Sequence, residues 1–243
     1  MVSRARASGV IREPMDPKTD PASADYKQVR TVIDKAIGDL KAQGAELADP
    51  VVIPGLKDRV TKLYDGNEFE TERAVNDYLA ALPNAPVKTL REILLSGKVT
   101  PLRATQLMNS VSRSTDDAGY LQILQLGEET RRLVLKIMAD NRLDALVYAT
   151  FDHPPGVIPP DILSNPDPRD IAGLGNNRRL SPVLGFPAMT VPAGFTVDGL
   201  PVGLEFLGRP FSEGTLLKLG YSYEQGTRRR KSPSTTPALP EEP

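Results

Sequence analysis

Asp152 and His153 stand side by side in TFDHPPG, and His153 is the only histidine of the 243 residues. Histidine is the commonest general base, and an Asp–His pair with a serine hydroxyl would be the outline of a hydrolase. The plainer reading is a solvated loop histidine. A metal site needs three or four ligands gathered together, and one histidine without a second cluster does not supply them. Ser110, Ser112 and Ser114 in NSVSRSTDD offer three hydroxyls, but such residues favour caps and turns. Gly173-Leu174-Gly175 lacks the third glycine and the apolar helix of a dinucleotide fingerprint, so no cofactor is expected there. Arg228 to Lys231 form a basic run without interleaved aromatics, which reads as the solvated end of a helix.

Composition bounds these readings. Apolar residues make up 40% and charged residues 25%, as in ordinary globular chains. With 30 basic against 31 acidic residues, nothing calls for nucleic acid or an anionic membrane as partner. Cysteine is absent, which excludes disulfides and thiolate nucleophiles and fits a cytoplasmic protein. No apolar run approaches the ~20 residues that span a bilayer, and MVSRARASGV lacks the hydrophobic segment of a secretory signal.

The elements that would position the chemistry read as alternating strand and helix. Gly9 to Arg12 is a short strand candidate. Val29, Val32, Ile33, Ala36, Ile37 and Leu40 line one face of a helix from about Ala24 to Gln43, stopped at Gly44. AELADPVVIP reads as a strand. Leu56 to Met108 read as polar helices, with Phe69, Ala74, Val75, Tyr78 and Leu82 at helical spacing. A further helix is expected from about Gly119 to Asn141, and LDALVYAT is a buried strand. The next thirty or so residues have little periodicity. AMTVPAGF and LPVGLEFLG then form a hairpin about Asp198-Gly199, with Pro192 arguing that the first strand is short, at an edge, or bulged. FSEGTLLKLGYSYEQGT opens a last helix with Ser212 as N-cap, in which Tyr221 and Tyr223 read as packing residues.

The set GFPAMTVPAGF, GLPVGLEFLGRPFSEGTLLKL and YEQGT resembles the C-terminal region of the amidase signature family. YKQVRTVIDKAIGDLKAQGAELADPVVIP and LDALVYAT resemble earlier pieces of the same family in the same order. The resemblance implies an α/β fold, a partial amidase signature fold with a mixed β-sheet flanked by helices. It also implies hydrolysis of carboxamides by a serine, a second serine in a cis peptide, and a lysine. No Gly/Ser-rich nucleophile stretch occurs here, so catalytic residues are assigned to none of these positions and are expected ahead of this segment. On this reading residues 1–8 are a disordered start, 9–231 the C-terminal part of an amidase domain, and 232–243 a Pro-rich tail. The chain would supply a substrate-channel wall and would not catalyse alone. Leu180, Ser181 and Pro182, just ahead of GFPA, are the candidate substrate-binding residues. No cofactor or metal is expected, and the partner is a small amide once a catalytic half is supplied. An open sheet edge and an uncovered apolar face would favour self-association. The alternative is a non-catalytic binding or interaction protein that keeps the fold.

Overall fold

The computed structural model describes residues 7–158, 160, 161, 163, 164 and 175–233. The element order is β1 (Ala7–Val10), α1 (Ala24–Ala42), β2 (Glu46–Ala48), α2 (Leu56–Tyr64), α3 (Asn67–Ala80), α4 (Leu90–Leu95), α5 (Pro101–Met108), α6 (Ala118–Asp140), β3 (Ala145–Ala149), α7 (Leu180–Leu184), β4 (Ala188–Phe195), β5 (Pro201–Leu207) and α8 (Glu213–Thr227). The strands form one mixed sheet in the order β2-β1-β3-β5-β4. β1 runs parallel to β2 and β3, while β5 runs antiparallel to β3 and β4. β1 takes in Ala7 and Ser8, ahead of the Gly9 boundary expected from sequence. Of the expected tail, Ser232 and Pro233 lie within the described residues.

α1 forms where the apolar spacing placed it. Ser23 caps it by accepting from the Tyr26 N–H at 3.2 Å, and Gly44 turns the chain out at φ +87°. Val29, Ile33, Ala36, Ile37 and Leu40 are its buried face. With α8 they cover one side of the sheet, against Val10, Val147, Ala149, Val191, Leu204 and Phe206. The alternate residues Ala7, Leu146, Tyr148 and Leu207 face the other way, onto α2, α6 and α7. Both faces therefore carry helices, and the uncovered apolar face expected from sequence is not found among the described residues. β3 is central and buried at all five positions, as a continuous apolar run between two helical layers requires.

Three local differences follow from packing. Of the apolar face read through α3, only Phe69 is buried, and Tyr78 is 67% exposed. The sheet's two apolar clusters take residues from α2 and α6 and none from α3, α4 or α5. α7 begins in the stretch of little periodicity, a single turn and a half ended by Gly185 at φ +64°. Ser212 occupies the residue before α8, yet its hydroxyl donates backward to the Arg209 carbonyl and caps nothing. Pro192 sits on the outer strand β4 at an irregularity in register between Pro192 and Gly194, as a residue with no N–H must. Among the described residues no helix is long and apolar enough to cross a membrane.

Candidate functional site

The carboxyl ends of β1 and β3 lie side by side, because these strands are parallel. β5, running the other way, begins at the same place, and β4, antiparallel to β5 and so in line with β3, ends there. Strand ends of this kind are where open α/β sheets place ligands. Here the chain leaves β3 through Thr150–His153 and is met by residues 175–177. The Asp152 N–H donates to the Gly175 carbonyl at 2.8 Å, and the Asn177 N–H to the Thr150 carbonyl at 3.1 Å. Gly175 has φ +70°, and a Cβ there would stand 2.8 Å from the Asp152 nitrogen, so only glycine fits.

A buried polar clamp holds this junction. The Asn177 amide donates to the Ala149 carbonyl at 2.9 Å and to Asp152 Oδ2 at 2.8 Å, while its Oδ1 accepts the Met15 N–H at 3.0 Å. Asp16 Oδ2 accepts the Gly175 N–H at 3.0 Å. Asp16, Asp152 and Asn177 are all buried. Burial pushes the Asp152 carboxyl up from its ordinary value, opposed by the Asn177 hydrogen bond and by Arg30. Arg30 Nη2 stands 3.9 Å from Asp152 Oδ1 and donates to the Arg12 carbonyl at 2.9 Å.

Asp152 thus faces the clamp, and no triad forms with its neighbour. His153 lines an apolar cleft of about 340 Å³ with Val29, Phe151, Pro154, Pro201 and Val202, and its Nε2 is buried without a partner. Phe151, Val202 and Gly203 also line a wider, more open cleft of about 1000 Å³ that runs on to Phe195 and Lys231. The basic run is more than a solvated helix end: Arg229 pairs with Asp39 of α1, and Lys231 Nζ lies 5.3 Å from the centre of the Phe195 ring.

A buried carboxyl sits one step back on the sheet. Glu205 of β5 faces Tyr148 of β3 on one side and Thr190 of β4 on the other. The Tyr148 hydroxyl donates to Glu205 Oε1 at 2.9 Å and the Thr190 hydroxyl to Oε2 at 3.3 Å. Burial raises the Glu205 carboxyl above its ordinary value against these donors, and burial raises the Tyr148 phenol well above its own.

The three residues singled out from sequence separate. Leu180 is wholly buried at the start of α7. The Ser181 hydroxyl donates to the Phe186 carbonyl at 2.8 Å and closes the turn after α7. Pro182 lines a cleft of about 310 Å³ between the α2–α3 junction and α6, with Tyr64, Gly66, Tyr120, Gly127 and Arg131. Ser110 is buried in the turn after α5, and Ser112 accepts from Arg91, so this group is the polar turn expected. Gly173 and Leu174 lie outside the described residues. Tyr223 is packed edge-on against Phe206, whereas Tyr221 is 68% exposed. Among the described residues no serine hydroxyl is hydrogen-bonded to a lysine or histidine nitrogen. Nor do three His, Asp or Glu side chains gather among them as a metal site would require.

A family model described as Amidase matches residues 17–217. A component of the glutamyl-tRNA(Gln) amidotransferase of Desulforudis audaxviator is 57% identical over 54 residues, 22% of this chain and 11% of that protein. Fatty acid amide hydrolase of Arabidopsis thaliana is 29% identical over 170 residues, 69% of this chain and 27% of that protein. The structure of native peptide amidase from Stenotrophomonas maltophilia matches with a TM-score of 0.68 and 26% identity, over 94% of this chain and 44% of that one. The chain spans less than half the length of each of these relatives.

Proposed function

Because the chain belongs to the amidase signature family, we propose that it forms one wall of the substrate channel of a carboxamide hydrolase and does not cleave amides by itself. Amide hydrolysis needs a nucleophile to attack the carbonyl carbon, a base to take its proton, and donors for the oxyanion. The observation that carries the proposal is the pairing of built clefts with the lack, among the described residues, of any serine hydroxyl bonded to a lysine or histidine. The residues present suit binding and orientation. Phe151, Pro201 and Val202 give apolar surface at the strand ends, the Asn177 clamp holds that surface in place, and Pro182 contributes to a second cleft. A nucleophile and base would come from polypeptide other than the described residues.

The test compares two preparations. The purified 243-residue chain is assayed for ammonia release from a panel of simple carboxamides. Protein captured by an antibody to α8 from cells that make it is assayed in parallel and sized. The first is expected to be inactive. The second is expected to be active and to contain a Ser–Lys-bearing polypeptide, continuous or separate. Steady turnover by the purified chain, abolished by one serine-to-alanine change, would overturn the proposal.

A further inference from the structure

We propose that the wide cleft at the end of the β4–β5 hairpin binds an amphiphilic organic anion, an apolar body of aromatic or aliphatic carbon that ends in a carboxylate. The cleft shares Phe151, Pro201 and Val202 with the channel wall described above. The inference itself rests on charge and shape, and it needs no catalysis.

Shape calls for the carbon body. The cleft has a volume of about 1000 Å³, at the large end of ligand sites. Phe151, Pro192, Phe195, Pro201 and Val202 give it apolar surface. Between Thr150 and Thr190 lies Gly203, where a Cβ would stand 2.7 Å from an atom of each, so the floor stays low between the two hydroxyls. An apolar group seated here removes this surface from water.

Charge calls for the anionic head. Arg230 and Lys231 line the cleft, and both are exposed. Two contacts hold them there. Arg229 pairs with Asp39 and ties down the chain as it leaves α8, and Lys231 Nζ lies 5.3 Å from the centre of the Phe195 ring. A third cation stands over the other aromatic ring of the cleft, with Arg178 Cζ 5.3 Å from the centre of Phe151. Among the described residues none of these three cations is paired with a carboxylate. No Asp or Glu lines the cleft. Glu205 is buried behind Thr190 and accepts from the Tyr148 and Thr190 hydroxyls. Unpaired cations around a low-dielectric wall concentrate anions and repel cations. A carboxylate suits them, because a guanidinium can take it in two parallel bonds. A bare inorganic anion makes no use of the carbon surface, and a hydrocarbon makes no use of the cations. A molecule with both parts uses the whole cleft.

The test titrates the full chain with three ligands that share one body, 4-fluorophenylbutanoate, 4-fluorophenylbutanol and 4-fluorophenylbutylamine, followed by ¹⁹F NMR. At low salt the carboxylate is expected to bind saturably. The alcohol is expected to bind about three- to thirty-fold more weakly, the effect of two or three exposed ion pairs, and the amine more weakly still. Salt at about 1 M should bring acid and alcohol together, because it screens exposed charges. Arg230→Gln with Lys231→Gln should do the same at low salt. Val197→Glu adds a carboxylate at a lining position that is 92% exposed, and should weaken the acid while leaving the alcohol unchanged. All three positions are exposed, so these variants keep the fold. Arg103→Gln, on α5 and outside the cleft, should change nothing. Equal binding of acid and alcohol overturns the proposal, as does a preference that survives the double glutamine change or Val197→Glu. The ten residues after Pro233 include Glu241 and Glu242. If changing both to glutamine tightens the acid about ten-fold or more, the chain's own acidic end is the occupant and the proposal fails. Binding is read without turnover. Loss of this site leaves the channel reading standing, and inactive captured protein leaves the site standing.

Discussion

Asn177→Ala is expected to destabilise the chain by about 3–5 kcal/mol at neutral pH. The magnitude follows from two of its three bonds, those to Met15 and Asp152. Loss of Oδ1 strands the Met15 N–H, which lies 3.0 Å away beside a side chain only 1% exposed. An orphaned buried donor costs about 1–3 kcal/mol, and a hydrogen bond to a charged group contributes about 1.5–3 kcal/mol. The second figure applies to Asp152, whose Oδ2 takes the Asn177 amide at 2.8 Å. Water entering the vacated space would recover part of the loss. For a chain of this size the deficit corresponds to a fall in Tm of roughly 6–20 °C. The pH dependence adds a second constraint. Burial holds the Asp152 pKa above its ordinary 3.8, so its contribution is full below that value and is lost as pH rises through the folded pKa. Removing Asn177 removes a hydrogen bond that opposes the rise, so the folded pKa climbs further. The gap between variant and wild type should therefore be widest near neutral pH and narrow toward about pH 4. Urea and thermal unfolding followed by circular dichroism at both pH values measure it. A deficit below about 1 kcal/mol, or one that does not shrink on acidification, would show that the junction does not depend on this clamp.

Other perturbations probe the neighbouring parts. Gly203→Ala would place a Cβ 2.7 Å from both Thr150 Oγ1 and Thr190 Cγ2; overpacking should cost about 1–3 kcal/mol, and Thr150→Ala in the same chain should recover part of it in a denaturation double-mutant cycle. Burial raises the Glu205 pKa above 4.5, so wild type should lose stability as pH rises from there through the folded pKa. Glu205→Gln should flatten that profile in denaturant titrations between about pH 4 and pH 8, and an unchanged slope would mean that the carboxyl stays ionised in the fold. Asp39→Ala removes the partner of Arg229, a pair one-quarter exposed at both ends; stability should change by only about 0.2–1 kcal/mol, while proteolysis within Arg228–Lys231 should quicken. β4 is an outer strand with no charged residue from Ala188 to Phe195. Concentration-dependent association in sedimentation should therefore weaken in Ala188→Lys, and a strict monomer at all concentrations would show that this edge does not pair.

What can be read in the sequence is what neighbours in the chain decide. The buried face of α1 lies within one helix, so Val29, Ile33, Ala36, Ile37 and Leu40 announce it by spacing alone. LDALVYAT declares a central strand because both of its faces are apolar, and Pro192 declares an edge because it cannot donate to a ladder. The misread parts depend on distant partners. Tyr78 and Leu82 share the spacing of a buried helix face with Phe69, but no sheet lies beneath α3 and only Phe69 is buried. Ser212 has the type and place of a cap, and the Arg209 carbonyl competes successfully for its hydroxyl. The clamp is the clearest case. Met15 and Asn177 are 162 residues apart, and both lie in segments without periodicity. An asparagine in GNNRRLSP carries no mark that it will tie two strand ends together. His153 shows the same limit from the other side. Its position just past a strand end is visible in TFDHPPG, which is reason enough to single it out. Whether it becomes a base, a ligand or a pocket wall depends on Asn177 capturing Asp152 and on Val29 and Val202 lining the same cleft. Neither event has a local signature, so the sequence can point to the residue while the fold alone determines its chemistry.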